Sequence, residues 1–98
     1  MSGNGHGGTI TLRLYGALRQ AAGGREVQVA AGEATLGEVL HRFTTDHAPH
    51  ASDMLFDREG NLWRSLILLL NEEPADDGPQ TRVQAGDVVS VLLPLAGG

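Results

Sequence analysis

The sequence predicts an α+β domain in two layers: a mixed sheet of four to five strands with one main helix packed on one face. Three observations lead there. Apolar and polar residues alternate in two early segments, Thr9–Tyr15 and Arg25–Val29, the period of a half-buried strand. One amphipathic helical repeat follows, with Leu36, Val39, Leu40 and Phe43 on a single stripe. Two later apolar runs, Leu66–Leu70 and Val88–Leu93, are strand-length and bounded by turn residues. One helix set between two groups of strands can bury its stripe only against one face of a sheet. At 98 residues, the chain holds one core of this kind.

Residues 1–8 are a polar glycine run, too poor in apolar surface to order itself, and are expected to form a flexible segment ahead of a domain at 9–93. In the first strand Ile10, Leu12 and Leu14 point one way, Thr11 and Arg13 the other. Gly16 to Gly24 reads as a connection with Gly23-Gly24 as its turn signal. Val27 and Val29 then face inward and Glu26 and Gln28 outward, so the two strands form a hairpin ended by Gly32. Thr35-Leu36-Gly37-Glu38 fits a capping box and opens a helix over Leu36–Asp46, which Pro49 stops soon after. Between residues 47 and 65 the pattern is irregular. Asp57 to Asn61 makes a turn, and Met54, Leu55, Phe56 and Trp63 tuck against the domain edge. Asn71 to Pro74 and Asp76 to Pro79 turn the chain twice more, and Gln84 to Asp87 leads into the last strand. The first and last strands should lie parallel at the centre, with the helix in the crossover. This is the β-grasp, or ubiquitin-like, arrangement. Residues 94–98 form a short tail.

Composition removes several function classes. Twelve acidic residues face seven arginines and no lysine, a net charge of −5, which is the opposite of a nucleic-acid-binding stripe. Cysteine is absent, so disulfides, thiolate metal sites and cysteine nucleophiles are excluded. No apolar stretch approaches the ~18 residues of a membrane span. No charged start followed by an apolar run marks an export signal, and the cytoplasm is the expected location.

Side-chain chemistry is equally sparse. His47 and His50 are three apart near a helix end, with Asp46 and Asp53 close by, but histidines there commonly complement the helix dipole. His6 falls in the glycine run, and His41 lies within the helix. No metal site is expected. Ser2, Ser52, Ser65 and Ser90 have no nucleophile-elbow context, and Asp76-Asp77 falls in a solvated turn. Gly3 to Gly8 precedes a strand instead of opening a helix, the wrong setting for a phosphate loop. The chain is therefore not expected to be an enzyme.

What remains is the C-terminal Gly97-Gly98. With 14 glycines, Gly-Gly also occurs at 7–8 and 23–24, so the pair counts only with its terminal position, the strand before it and the spacer Pro94-Leu95-Ala96. A second feature is apolar surface. If Ile67, Leu69, Val89, Val91 and Leu93 face the helix, then Leu66, Leu68, Leu70, Val88 and Leu92 make an apolar patch on the opposite face. Such a patch marks a partner site unless residues 47–65 fold over it.

The closing segment Gly86-Asp87-Val88-Val89-Ser90-Val91-Leu92-Leu93-Pro94-Leu95-Ala96-Gly97-Gly98 resembles the end of MoaD/ThiS-family sulfur carrier proteins. The likeness extends back through Asn71, which begins the turn after the third strand in that family. It also takes in the helix start Thr35-Leu36-Gly37-Glu38-Val39-Leu40, and so covers roughly residues 9–98. It departs where many relatives have two prolines before the tail (here Leu93-Pro94) and glycine after the asparagine (here Glu72). The long stretch between helix and third strand is closer to the longer MoaD-like and CysO-like members.

The resemblance implies a function. An E1-like enzyme would adenylate the Gly98 carboxylate with ATP and Mg²⁺. Sulfur from a sulfurtransferase or persulfide donor would then make a thiocarboxylate. That group would donate sulfur to a client synthase in cofactor or metabolite biosynthesis, of the molybdopterin or cysteine type. Gly98 would be the reacting residue. Gly97, Ala96, Leu95 and Pro94 would enter the partner's site, with Leu66, Leu68, Leu70 and Leu92 docking. No cofactor would be held stably, and the protein alone would be a monomer. Physical chemistry agrees: glycine lets another backbone approach closely, and five tail residues reach at most ~17 Å. Without cysteine, the terminal carboxylate is the available place for covalent sulfur. Two other readings stand beside it: a ubiquitin-like modifier joined through Gly98 to lysines of target proteins, and an interaction module in which the diglycine is incidental.

Overall fold

The computed structural model describes residues 8–93. In chain order these form β1 (Thr9–Leu14), α1 (Gly16–Ala22), β2 (Glu26–Ala30), β3 (Glu33–Thr35), α2 (Leu36–Asp46), a 3₁₀ turn at Pro49–Ala51, α3 (Ser52–Leu55), β4 (Ile67–Leu70), β5 (Glu73–Pro74), a second 3₁₀ turn at Gly78–Gln80, β6 (Arg82–Gln84) and β7 (Val88–Leu92). Five strands make the main sheet in the order β2-β1-β7-β4-β5, and β3 and β6 make a separate two-stranded ribbon. The predicted α+β arrangement holds: β1 and β7 run parallel at the centre, Leu12 beside Val89 and Leu14 beside Val91. Every other ladder is antiparallel.

The core lies between this sheet and α2. Ile10, Leu12 and Leu14 of β1, Val29 of β2 and Val89 and Val91 of β7 meet Leu36, Val39, Leu40 and Phe43 of α2. The α2 boundaries match those read from the sequence because the local signal is strong. Glu38 donates its backbone N–H to the Thr35 hydroxyl at 3.2 Å, and Thr35 N–H returns a bond to Glu38 Oε1 at 2.9 Å. That backbone donor holds the Glu38 carboxyl below the usual carboxylate range.

Three expectations need correction. The segment read as a plain connection, Gly16 to Gly24, contains α1, so β1 and β2 are joined by a helix and not by a tight hairpin turn. Leu18 is its buried residue, with Ala21 and Ala22 packed beside the core. Gly23 takes φ 79°, and its N–H and that of Gly24 close on the Arg19 carbonyl, so Gly23-Gly24 ends a helix instead of making a hairpin bend. Trp63 is 46% exposed, although Leu55 and Phe56 are buried as expected. The third correction concerns the facing of β4 and is taken up with the site.

Asn71 and Glu72 form the two-residue turn between β4 and β5, both with positive φ, 51° and 73°. Two left-handed residues in succession make the type I′ geometry that suits the twist of paired strands. Asn71 tolerates it; Glu72 is held there against the Cβ clash. Glu72→Gly is therefore expected to stabilise the domain by about 0.5 kcal/mol, since relieving the strain exceeds glycine's extra unfolded-state entropy. Its weak contact with Arg13 at 3.8 Å is too exposed to offset this. A rise in melting temperature for Glu72→Gly, with none for Glu72→Ala, checks the prediction.

Candidate functional site

The tail residues Pro94, Leu95, Ala96, Gly97 and Gly98 lie outside the described residues, as do residues 1–7. What the structure defines is the strand that precedes the tail, β7. β7 is a central strand, flanked by β1 and β4, so Val89, Ser90 and Val91 are paired on both sides and Leu92 pairs with Ile67. Its start is fixed with similar care. Val88 N–H donates to Asn71 Oδ1 at 3.0 Å, and Asn71 Nδ2 donates to Asp87 Oδ1 at 3.2 Å. The other Asp87 oxygen accepts from Gln84 N–H at 2.9 Å. The turn asparagine picked out in the sequence thus ties β4–β5 to the entry of β7.

The facing of β4 is opposite to the sequence expectation. Leu68 lies across from Val91 and Leu70 across from Val89, both core valines, so Leu66, Leu68 and Leu70 pack on the helix side. Ile67 and Leu69 take the outer face, opposite Leu92 and Ser90. An apolar patch does exist there, but it consists of Ile67, Leu69, Val88 and Leu92, with Leu92 and Val88 as read from sequence. Ile67 is 48% exposed and the other three are half-buried. Ser90, at the patch centre, is only 4% exposed. Polar neighbours border the patch through β1, where Thr11 pairs with Val88 and Arg13 with Ser90. Arg13 is itself linked to Glu26 at 3.4 Å.

Residues 47–65 leave this patch open. Ala48, Ala51, Leu55 and Phe56 enter the core, and Phe56 stacks on His41 of α2 with ring centroids 4.3 Å apart. The later part of the segment, Asp57 and residues 59–65, borders a groove of about 920 Å³ with Gly37, His41 and Pro79, on the helix side of the sheet. His47 stacks on Phe43 at 6.5 Å, and among the described residues no group of three or more potential ligands could hold a metal. No helix there is long and apolar enough to cross a membrane.

The geometry is thus a rigid central strand leading to a diglycine end, beside an uncovered apolar sheet face. The family model described as ThiS matches residues 12–98. The chain belongs to the ThiS family. No curated protein matches it significantly. Among solved structures it is similar to SAMP1 from Haloferax volcanii, 30% identical, with a TM-score of 0.82 over 93% of this chain and 100% of that one. It is also similar to a chain of the Amycolatopsis orientalis BexX/CysO complex, at 27% identity and TM-score 0.73 over 91% of this chain and 99% of that one. Urm1 from Trypanosoma brucei shares the fold at 23% identity and TM-score 0.73, with full coverage of both chains (100% each). SAMP1 is by name a small archaeal modifier protein, and this ThiS-family chain shares the β-grasp fold of these neighbours.

Proposed function

We propose that this ThiS-family protein is a sulfur carrier that works through the carboxylate of Gly98. The observation that carries the reading is the family match, which runs through residue 98 and so includes Gly97-Gly98. A carboxylate is a poor electrophile. In an E1-like activating enzyme, the Gly98 carboxylate oxygen attacks the α-phosphorus of ATP, with Mg²⁺ bound to the phosphates, and pyrophosphate leaves. The terminal sulfur of a persulfide on the sulfurtransferase then attacks the acyl carbon and AMP departs. A thiol reductant cleaves the S–S bond of the acyl disulfide so formed, leaving the thiocarboxylate on Gly98 and a disulfide between the thiol and the donor sulfur. The resulting thiocarboxylate serves a client synthase, of the molybdopterin or cysteine type. This chain supplies no catalytic side chain to either step. It presents the tail from β7, and the Ile67, Leu69, Val88 and Leu92 face docks the partner. Pro94 to Ala96 space the glycines from the domain.

The test is intact mass measurement of the protein taken from its own cells. A fraction heavier by the difference between sulfur and oxygen supports the reading. Its absence under every sulfur-demanding growth condition, together with no adenylation by any cognate activating enzyme, would overturn it.

A second reading, conjugation through Gly98 to target proteins, is favoured by the likeness to SAMP1, the small archaeal modifier protein of Haloferax volcanii. The sequence constrains what such conjugates look like. It contains no lysine, and arginine stays protonated, so no side-chain amine is available for branching. Conjugates should be single units on foreign lysines, or linear chains through an N-terminal amine. Peptide mapping of purified conjugates checks this: a branch inside this chain would refute it.

A further inference from the structure

The end of the sheet from which the tail departs carries a second surface, unlike the apolar face. Because β1 and β7 are parallel, β1 also ends there, with Leu14 beside Val91. β2 begins there, since Leu14 N–H donates to the Arg25 carbonyl at 2.8 Å and Arg13 pairs with Glu26. Around this corner Arg13, Tyr15, Arg19 and Arg25 line a cleft of about 310 Å³ together with Leu14 and Glu26.

Charge sets this cleft apart from the rest of the molecule. The chain carries −5 overall, yet three of its seven arginines converge here. Arg13 is answered by Glu26 and Glu72 at 3.4 and 3.8 Å. Arg19 and Arg25 are exposed and have no carboxylate within 4.0 Å among the described residues. Tyr15 stands at the rim, 43% exposed. Tyrosine and arginine together are the side chains most often found to anchor protein interfaces. The α1 helix explains the placement: it lifts Arg19 over the sheet end, which a tight hairpin turn would not do.

Neighbouring strands are ~4.8 Å apart, so the cleft sits one strand away from the exit of the tail. Any protein that receives five extended tail residues, up to ~17 Å, must come up against this corner. We propose that Arg19 and Arg25 form a cationic docking rim that pairs with acidic side chains on the activating enzyme, beside the mouth of the site that takes the tail. The inference rests on the carrier reading above and adds to it the chemistry of the partner surface. On an acidic protein, such a rim also gives direction: an acidic partner is attracted at the tail end and repelled elsewhere, which raises the encounter rate in the productive orientation.

The test uses the full chain and its cognate activating enzyme in ATP–pyrophosphate exchange. Arg19→Glu and Arg25→Glu are compared singly and together with wild type, and Arg58→Glu, in the turn after Phe56, is the charge-matched control. The double variant should raise the KM for the carrier about tenfold at low salt with kcat unchanged, and the difference should shrink at about 0.5 M NaCl, where screening is within a few ångströms. Arg58→Glu should move KM far less. Since Glu at 19 could loosen α1, Arg19→Gln with Arg25→Gln is measured too, with circular dichroism to confirm the fold, and should show a smaller rise of the same salt dependence. An unchanged carrier KM and salt slope in folded variants, with wild type active, would overturn the rim and leave the carrier reading intact. A raised KM for ATP instead would overturn it in favour of nucleotide contact. No exchange with wild type would remove both.

Discussion

Removing Gly98, or adding one residue beyond it, should reduce adenylation to background while the melting temperature stays within about 1 °C of wild type. The reacting group on the proposed mechanism is the α-carboxylate of that residue, so a chain ending one residue early presents the acyl carbon out of reach. A chain extended by one residue places an amide where the carboxylate should be. Reaction geometry is demanding on this scale, since a misplacement of ~1 Å already costs about 100-fold. Stability should not follow, because the core residues all fall between Ile10 and Val91. ATP–pyrophosphate exchange with the cognate activating enzyme reads the first effect and thermal melting the second. Normal exchange by the truncated chain would remove the carboxylate from the mechanism.

The second large effect separates the two faces of one strand. Leu68→Arg should destabilise the domain by about 2–3 kcal/mol, since it pushes a charge against Val91 on the core side of the sheet. Leu92→Arg and Ile67→Arg place the same charge on the outer face. They should shift stability by under about 0.5 kcal/mol while weakening partner binding by tenfold or more, the cost of a charge in a desolvated apolar contact. Chemical denaturation and calorimetric titration with the activating enzyme give the two readouts. Strong unfolding by Leu92→Arg with Leu68→Arg tolerated would mean that the facing is reversed.

That contrast also shows where the sequence is informative. α2 was legible to the residue because a capping box and an apolar stripe are both local signals. β1 and β2 were legible because alternation states which side chain goes inward. Leu66–Leu70 has no alternation, so nothing within it says which leucines face the helix. The register with β7, set across the sheet, decides it, and the sequence reading placed the wrong three on the outer face. α1 did leave a trace: Leu18, Ala21 and Ala22 have helical spacing and Gly23-Gly24 suits a helix end, but seven residues between two strands read as a loop. β3 and β6 are three residues each, with only Ala34 and Val83 inward, too short for any period to register. Of the candidate site, the diglycine lies outside the described residues, and the acidic protein's cationic corner was not legible, because Arg13, Arg19 and Arg25 come together only through the turn of α1 and the β1–β2 pairing.

The parallel pairing of β1 with β7 gives the domain a head and a foot. β1 sets out from one end of the sheet and β7 arrives at the other, roughly 17–20 Å away for strands of this length. Cargo fused ahead of β1, whether an affinity handle, a fluorophore or another copy of the domain, is therefore seated at the foot, a full strand length from the working end. A string of such copies would extend like links laid end to end, each shielding its predecessor's terminus while only the final link keeps a free one. On the proposed mechanism, an immobilised chain is best tethered by its leading segment, with the trailing one left in solution to react.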